Sequence, residues 1–248
     1  IGNQYFRYYA TDMAEAITTS GQLSIRWVAD EINAFLNETI GTDNYDYIVA
    51  SDTDSVYVRL GKLVDRFLPD CSDTKKIVDF LDNSSEKIIQ PLIDKKYDEL
   101  AKMMNAYENK MHMGREVVAE RGIWTAKKRY ALNVWDSEGI RYDQPKLKIM
   151  GIETTRSSTP AIVREKLKDA ILLILTTNEK DIQNYVAKFK EEFYECEPEE
   201  IAFPRGVSNL EKWESSSEIY ISATPIAVKG SLIYNYYIKK LKLEEKYE

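Results

Sequence analysis

Apolar residues recur at helical spacing early in the chain: Met13, Ile17, Leu23, Trp27, Val28, Ile32 and Leu36. This predicts an amphipathic helix over about residues 12–36 with one buried face. The period then changes. Tyr47-Ile48-Val49-Ala50 and Val56-Tyr57-Val58 are short apolar runs flanking Ser51-Asp52-Thr53-Asp54-Ser55, which predicts a β-hairpin with an acidic tip. Helical patterning resumes over roughly residues 75–107, with an interruption at Pro91, whose ring and missing N–H disturb a helix interior.

Val117-Val118, residues 129–135, 140–142 and 147–152 read as strands, with Asp136-Ser137-Glu138-Gly139 as a connecting turn. Beyond Ser157-Ser158-Thr159-Pro160 the pattern is mainly helical. Thr159 suits a cap and Pro160 the first helical position. Helices are predicted over residues 162–175, 181–194 and 227–241, with an acidic, irregular stretch over 195–218. The fold class is therefore α+β: a mixed, mainly antiparallel sheet with flanking helices over residues 1–152, then a mainly helical region over 153–248. The change of pattern near residues 152–159 marks the boundary.

A chain of 248 residues with 44% hydrophobic content can bury a real core. No apolar run reaches the ~20 residues that span a bilayer, and the first residues lack a signal-peptide pattern, so no membrane partner is expected. The chain opens on Ile1, and residues 1–9 carry no cap or turn, which predicts a piece of something longer. Cys71 and Cys196 lie far apart without metal-ligand spacing, so both are expected as free thiols. His112 is the single histidine, which argues against a Ser-His-Asp triad or a His-rich metal site. Any chemistry falls to carboxylates. The net charge of −7 argues mildly against nucleic acid, yet the basic residues of 115–150 outnumber the acidic ones there, and distribution matters more than the sum.

Asp52 and Asp54 at a hairpin tip repel each other unless a cation compensates. Mg²⁺ takes one or two protein carboxylates and completes its shell with water and phosphate oxygens, as phosphoryl transfer requires. The same pair also suits a solvated turn, or a glycosyltransferase holding a nucleotide sugar. Lys127-Lys128-Arg129-Tyr130 reads either as a solvated charge run or as a phosphate-tracking strand edge with an aromatic beside it. Glu116 reads as a surface carboxylate. Trp124, Trp135 and Phe189 read as packing residues.

Taken in order, these segments resemble the later part of a family-B DNA polymerase, most closely the replicative enzymes of T-even-type bacteriophages. Residues 16–22, Ala-Ile-Thr-Thr-Ser-Gly-Gln, resemble the family's palm helix. Ser51-Asp52-Thr53-Asp54-Ser55 resembles its third polymerase motif, usually Tyr-Gly-Asp-Thr-Asp-Ser. Arg115-Glu116, Lys127 to Tyr130, Trp135-Asp136, Pro145 to Gly151, Ser157 to Pro160, Thr224 to Gly230 and Tyr234-Asn235 continue the match. The resemblance implies a partial palm over 1–152 and an incomplete thumb over 153–248. It makes Asp52 and Asp54 metal ligands for two Mg²⁺ ions and Glu116 an accessory acid. It gives Thr53, Lys127, Lys128, Arg129 and Tyr130 contacts to the primer strand, and Arg156 and Lys229 a grip on the duplex.

The departures are also informative. Ala50-Ser51 stands where the family has Tyr-Gly, and neither the first aspartate motif nor the nucleotide-binding helix is present. The resemblance therefore implies part of a DNA-directed DNA polymerase, inactive alone. Its partners would be primer-template DNA, deoxynucleoside triphosphates and an N-terminal fragment carrying the exonuclease, fingers and first aspartate motif. Its place would be the cytoplasm of an infected bacterial host. A non-catalytic DNA-binding module that retains the motif is the alternative, beside the glycosyltransferase.

Overall fold

The computed structural model describes residues 1–244 and divides the chain into two compact units, Ile1–Ile152 with Ile171–Asn178, and Glu153–Ala170 with Glu179–Glu248. In the first unit, helix α1 (Thr11–Ile40) ends at Gly41, whose φ of 75° is the left-handed conformation glycine adopts without penalty; its N–H caps the Asn37 carbonyl. Val28, Ile32 and Leu36 are buried at four-residue spacing against Tyr47, Leu63, Ile93, Tyr97 and Leu100. Full burial of one such aliphatic side chain is worth about 1.5–3 kcal/mol. The buried face is shorter than the sequence pattern suggests: Met13 and Ile17 are exposed, and burial is confined to the later turns of α1.

Leu63 reaches that core from α2 (Gly61–Phe67), a short helix the periodicity does not reveal. Helix α3 (Thr74–Ser84) is capped by Asp73, whose carboxylate accepts from the Lys75 and Lys76 amides. Pro91 does not break the helical run. A π-helical turn (Ser85–Ile89) joins α3 to α4 (Gln90–Met103), and Pro91 sits in the first turn of α4. The wider turn falls where the Pro91 ring would otherwise crowd the carbonyl four residues back.

The strands form two antiparallel sheets, a hairpin of β1 (Ile48–Asp52) and β2 (Ser55–Val58) and a meander of β3 (Val117–Ala126), β4 (Arg129–Ser137) and β5 (Ile140–Met150). Residues 140–142 and 147–150 belong to one strand. Pro145 is accommodated because β5 pairs only with β4, leaving its other edge without a ladder to break. The register slips there: Asp136 faces Arg141, whereas Val134 faces Lys146. Ala131 on the central strand is fully buried with Ile171 and Leu175, the last turns of α5 (Ala161–Thr176).

Two asparagines one helical turn apart on α1 fix the approach to β1. The Asn33 side chain accepts from the Tyr47 amide at 2.8 Å, and Asn37 accepts from the Tyr45 amide at 2.9 Å while donating to the Tyr45 carbonyl at 2.8 Å. Asn37→Ala would strand half-buried backbone groups, a loss of about 1–3 kcal/mol. Chemical denaturation of the variant reads this directly, and an unchanged midpoint would count against it.

A charge network ties α3 to the meander. The Asp136 carboxylate is 1% exposed and accepts from Arg115, Arg141 and the Gly139 amide. Arg115 and Arg141 also pair with Asp82, and Arg141 with Asp79. Burial pushes the Asp136 carboxyl up, but the hydrogen bonds of Arg115 and Arg141, the charge of Arg115 and the Gly139 amide outweigh it and hold it below the usual carboxylate value. Two of the basic residues that make 115–150 positive are thus committed to internal pairing.

The second unit contains α6 (Glu179–Glu195), α7 (Pro198–Ile201) and α8 (Ile226–Leu241) with the first part of α5. Lys166 of α5 pairs with Glu192 of α6, and the Tyr185 hydroxyl donates to the Lys166 carbonyl at 3.1 Å. Burial in α8 falls on Val228 and Leu232, again four residues apart. Among the described residues, no helix is long and apolar enough to cross a membrane.

Candidate active site

The acidic tip is tighter than the apolar runs suggest. Asp52 closes β1 and Ser55 opens β2, so only Thr53 and Asp54 lie between the strands. Thr53 adopts a φ of 49°, the left-handed region that a β-branched residue rarely enters, and the Asp54 amide donates back to the Asp52 carbonyl at 2.6 Å. Strain of this kind costs about 1–3 kcal/mol and collects at sites whose geometry matters. The Ser55 hydroxyl donates to the same carbonyl at 3.1 Å, and the Thr53 hydroxyl donates to the Asp52 carboxylate at 3.0 Å. Asp54 is exposed and Asp52 half-buried.

Facing this tip is the turn between β3 and β4, formed by Lys127 and Lys128. Lys128 has a φ of 61°, and its ammonium lies 4.0 Å from the Asp52 carboxylate. Gly151 braces the turn from the end of β5. A Cβ at Gly151 would fall 2.1 Å from the Lys128 carbonyl oxygen, and Gly151 itself has a φ of 67°. The Arg129 Nε donates to the Gly151 carbonyl at 3.1 Å, so Arg129 is engaged with its own hairpin.

Tyr130 joins a group of three rings. Its centroid lies 5.4 Å from that of Tyr57 on β2, and Trp124 on β3 lies 5.2 Å from Tyr57 and 6.3 Å from Tyr130. Burial, together with Tyr130 as hydrogen-bond partner, pushes the Tyr57 phenol up to about 12. Glu116, just before β3, contributes its negative charge to that rise and pairs with the Lys148 ammonium at 2.7 Å.

Asp52, Asp54 and Thr53 therefore share one turn, which Lys128 approaches, with Tyr130 attached to the same hairpin through Tyr57. Lys127 is exposed on the facing turn. Arg156 and Lys229 belong to the second unit, where Arg156 is exposed and the Lys229 ammonium lies 5.0 Å above the Tyr220 ring. Sequence reasoning gave no site role to Gly122, Tyr57, Lys148 or Gly151. Gly151 follows a strand and precedes a turn, which is a usable signal; the others depend on partners distant in sequence.

Two carboxylates with one residue between them suit Mg²⁺, which draws only one or two from protein. Among the described residues, no group of three or more His, Cys, Asp or Glu side chains is placed to hold a metal ion. Neither cysteine is disulfide-bonded.

No family model matches the chain. It is 39% identical over 243 residues to the DNA-directed DNA polymerase of Enterobacteria phage T4, and 40% identical over 248 residues to that of Escherichia phage RB69. The alignments cover 94% and 96% of this chain but 27% of each polymerase. They fall in the C-terminal part of those proteins, and they bear out the resemblance drawn from the ordered motifs.

Proposed function

We propose that this chain, a sequence relative of the phage DNA-directed DNA polymerases, forms the later palm (residues 1–152) and an incomplete thumb (residues 153–248) of a family-B DNA-directed DNA polymerase. The observation that carries this reading is a strained Asp-Thr-Asp turn faced by a lysine turn, in a chain about 40% identical to those polymerases along nearly its whole length. Asp52 and Asp54 would hold Mg²⁺, with Glu116 as an accessory acid. Divalent metal supplies Lewis-acid activation of the primer 3′-hydroxyl and neutralises charge on the triphosphate.

The chain's own residues supply position and charge. Lys127 and Lys128 sit on one tight turn, Lys128 with its ammonium beside the Asp52 carboxylate, and would track primer phosphates. Thr53, Arg129 and Tyr130 would hold the primer strand near its 3′ end. Arg156 and Lys229 of the second unit would grip the duplex. Deoxynucleoside triphosphate selection and the remaining metal ligands would come from an N-terminal partner carrying the exonuclease, fingers and first aspartate motif. The assembled enzyme would act in the cytoplasm of an infected bacterial cell.

The chain alone is expected to be inactive. Primer extension should appear only when a matching upstream polymerase fragment is added. Robust synthesis by the isolated chain would overturn the split of the site, and no synthesis with an active, matched upstream fragment would favour a DNA-binding module that keeps the motif.

A further inference from the structure

The β1–β2 hairpin and the β3–β4–β5 meander are separate sheets, so no backbone ladder fixes the acidic tip against the lysine turn. At this end they are joined by the ring group, beside the Lys128–Asp52 approach. Tyr57 on β2 contacts both Trp124 and Tyr130, which face each other across the β3–β4 ladder, Trp124 three residues before Lys127 and Tyr130 two after Lys128.

The Trp124 ring has a shaped seat. A Cβ on Gly122 would fall 2.7 and 2.8 Å from the far edge of the indole, and 2.6 Å from a Leu132 methyl. Gly122 has no left-handed backbone demand, so here the close approach of a side chain accounts for the missing Cβ. The indole N–H is buried with no hydrogen-bond partner among the described residues. A ring held at the expense of a buried donor is held by packing, and its packing partner across the sheets is Tyr57.

We infer that Trp124, seated on Gly122, is a positioning residue that sets the Asp52-Thr53-Asp54 turn against Lys128 by clamping Tyr57. The clamp itself stands on geometry; its consequence for synthesis rests on the polymerase reading given above.

The test reads proximity rather than activity, so failure of the clamp and failure of the polymerase reading remain distinguishable. A water-soluble carbodiimide and a proton convert a carboxylate to an O-acylisourea; a neighbouring amine attacks its acyl carbon, the amide C–N bond forms as the acyl C–O bond breaks, and the group departs as a urea that carries away the amine's proton. In the full chain, peptide mass spectrometry should find an Asp52–Lys128 product, with Glu31–Lys96, 3.0 Å apart and bridging α1 and α4, as internal standard.

Gly122→Ala and Trp124→Leu should lower the Asp52–Lys128 yield about tenfold relative to the standard, since a misplacement of about 1 Å costs a reaction between held groups at least that much. Trp124→Phe, which keeps a ring on the seat, should retain most of the product. If Gly122→Ala loses the standard as well, the added methyl has disturbed folding, and Trp124→Leu, which relieves crowding, decides on the same ratio. Ratios equal to the unaltered chain in a folded Trp124→Leu variant would overturn the clamp.

Discussion

Asp54→Ala in the assembled polymerase is expected to abolish primer extension while leaving primer-template affinity within about twofold, because on the proposed reading the carboxylate would hold metal and its loss removes no Lys or Arg contact to phosphate. Lewis-acid stabilisation of a transferring phosphoryl group is worth several kcal/mol, and each ~1.4 kcal/mol is a tenfold rate, so the loss should reach about a thousandfold or more. Asp54 is exposed at the turn, and its side chain supports no core, so the variant should fold. Single-turnover extension paired with a DNA-binding titration separates the two effects. Near-normal synthesis by the variant would remove Asp54 from the metal site.

The second large effect concerns stability. Asp136→Ala leaves Arg115 and Arg141 facing one another without the buried carboxylate between them, and breaking such a buried pair from one side costs about 3–5 kcal/mol. The pH dependence has a definite sign. The folded-state pKa lies below the ordinary value of 3.8, so Asp136's contribution is complete above that value and is lost as pH falls through the lower, folded value. Urea denaturation of chain and variant should differ most near neutral pH and converge in strong acid. A difference below about 1 kcal/mol at neutral pH would mean that the network relaxes around the gap.

The long elements were legible because they carry their own period. α1, the β1–β2 hairpin, α5, α6 and α8 lie where the apolar spacing put them, shifted by a few residues at their ends. α2 was not, because seven residues with one buried side chain, Leu63, give no period to detect. Strand β5 was split in the sequence reading because residues 143–146 carry no strand-like apolar pattern and include Pro145; whether such a segment pairs depends on its being an edge. The carboxylate turn was legible from its residues and from the family resemblance. Its surroundings were not. Arg141 meets Asp79 and Asp82 across 62 and 59 residues, and what Gly122 and Gly151 permit is visible only beside Trp124 and the Lys128 carbonyl.

Asn33 and Asn37 have a consequence beyond their hydrogen bonds. They clasp the backbone at Tyr45 and Tyr47, so the strand is counted from a fixed origin on a rigid helix instead of from its own turn. Between Tyr47 and Asp52 there is already one irregularity in the pairing, between Ile48 and Ala50. In a two-residue repeat, one residue more or fewer in that interval exchanges the faces of everything after it. The segment from 47 to 52 should therefore accept changes of side chain far more readily than changes of length: its parity, rather than its composition, decides which way the acidic turn looks.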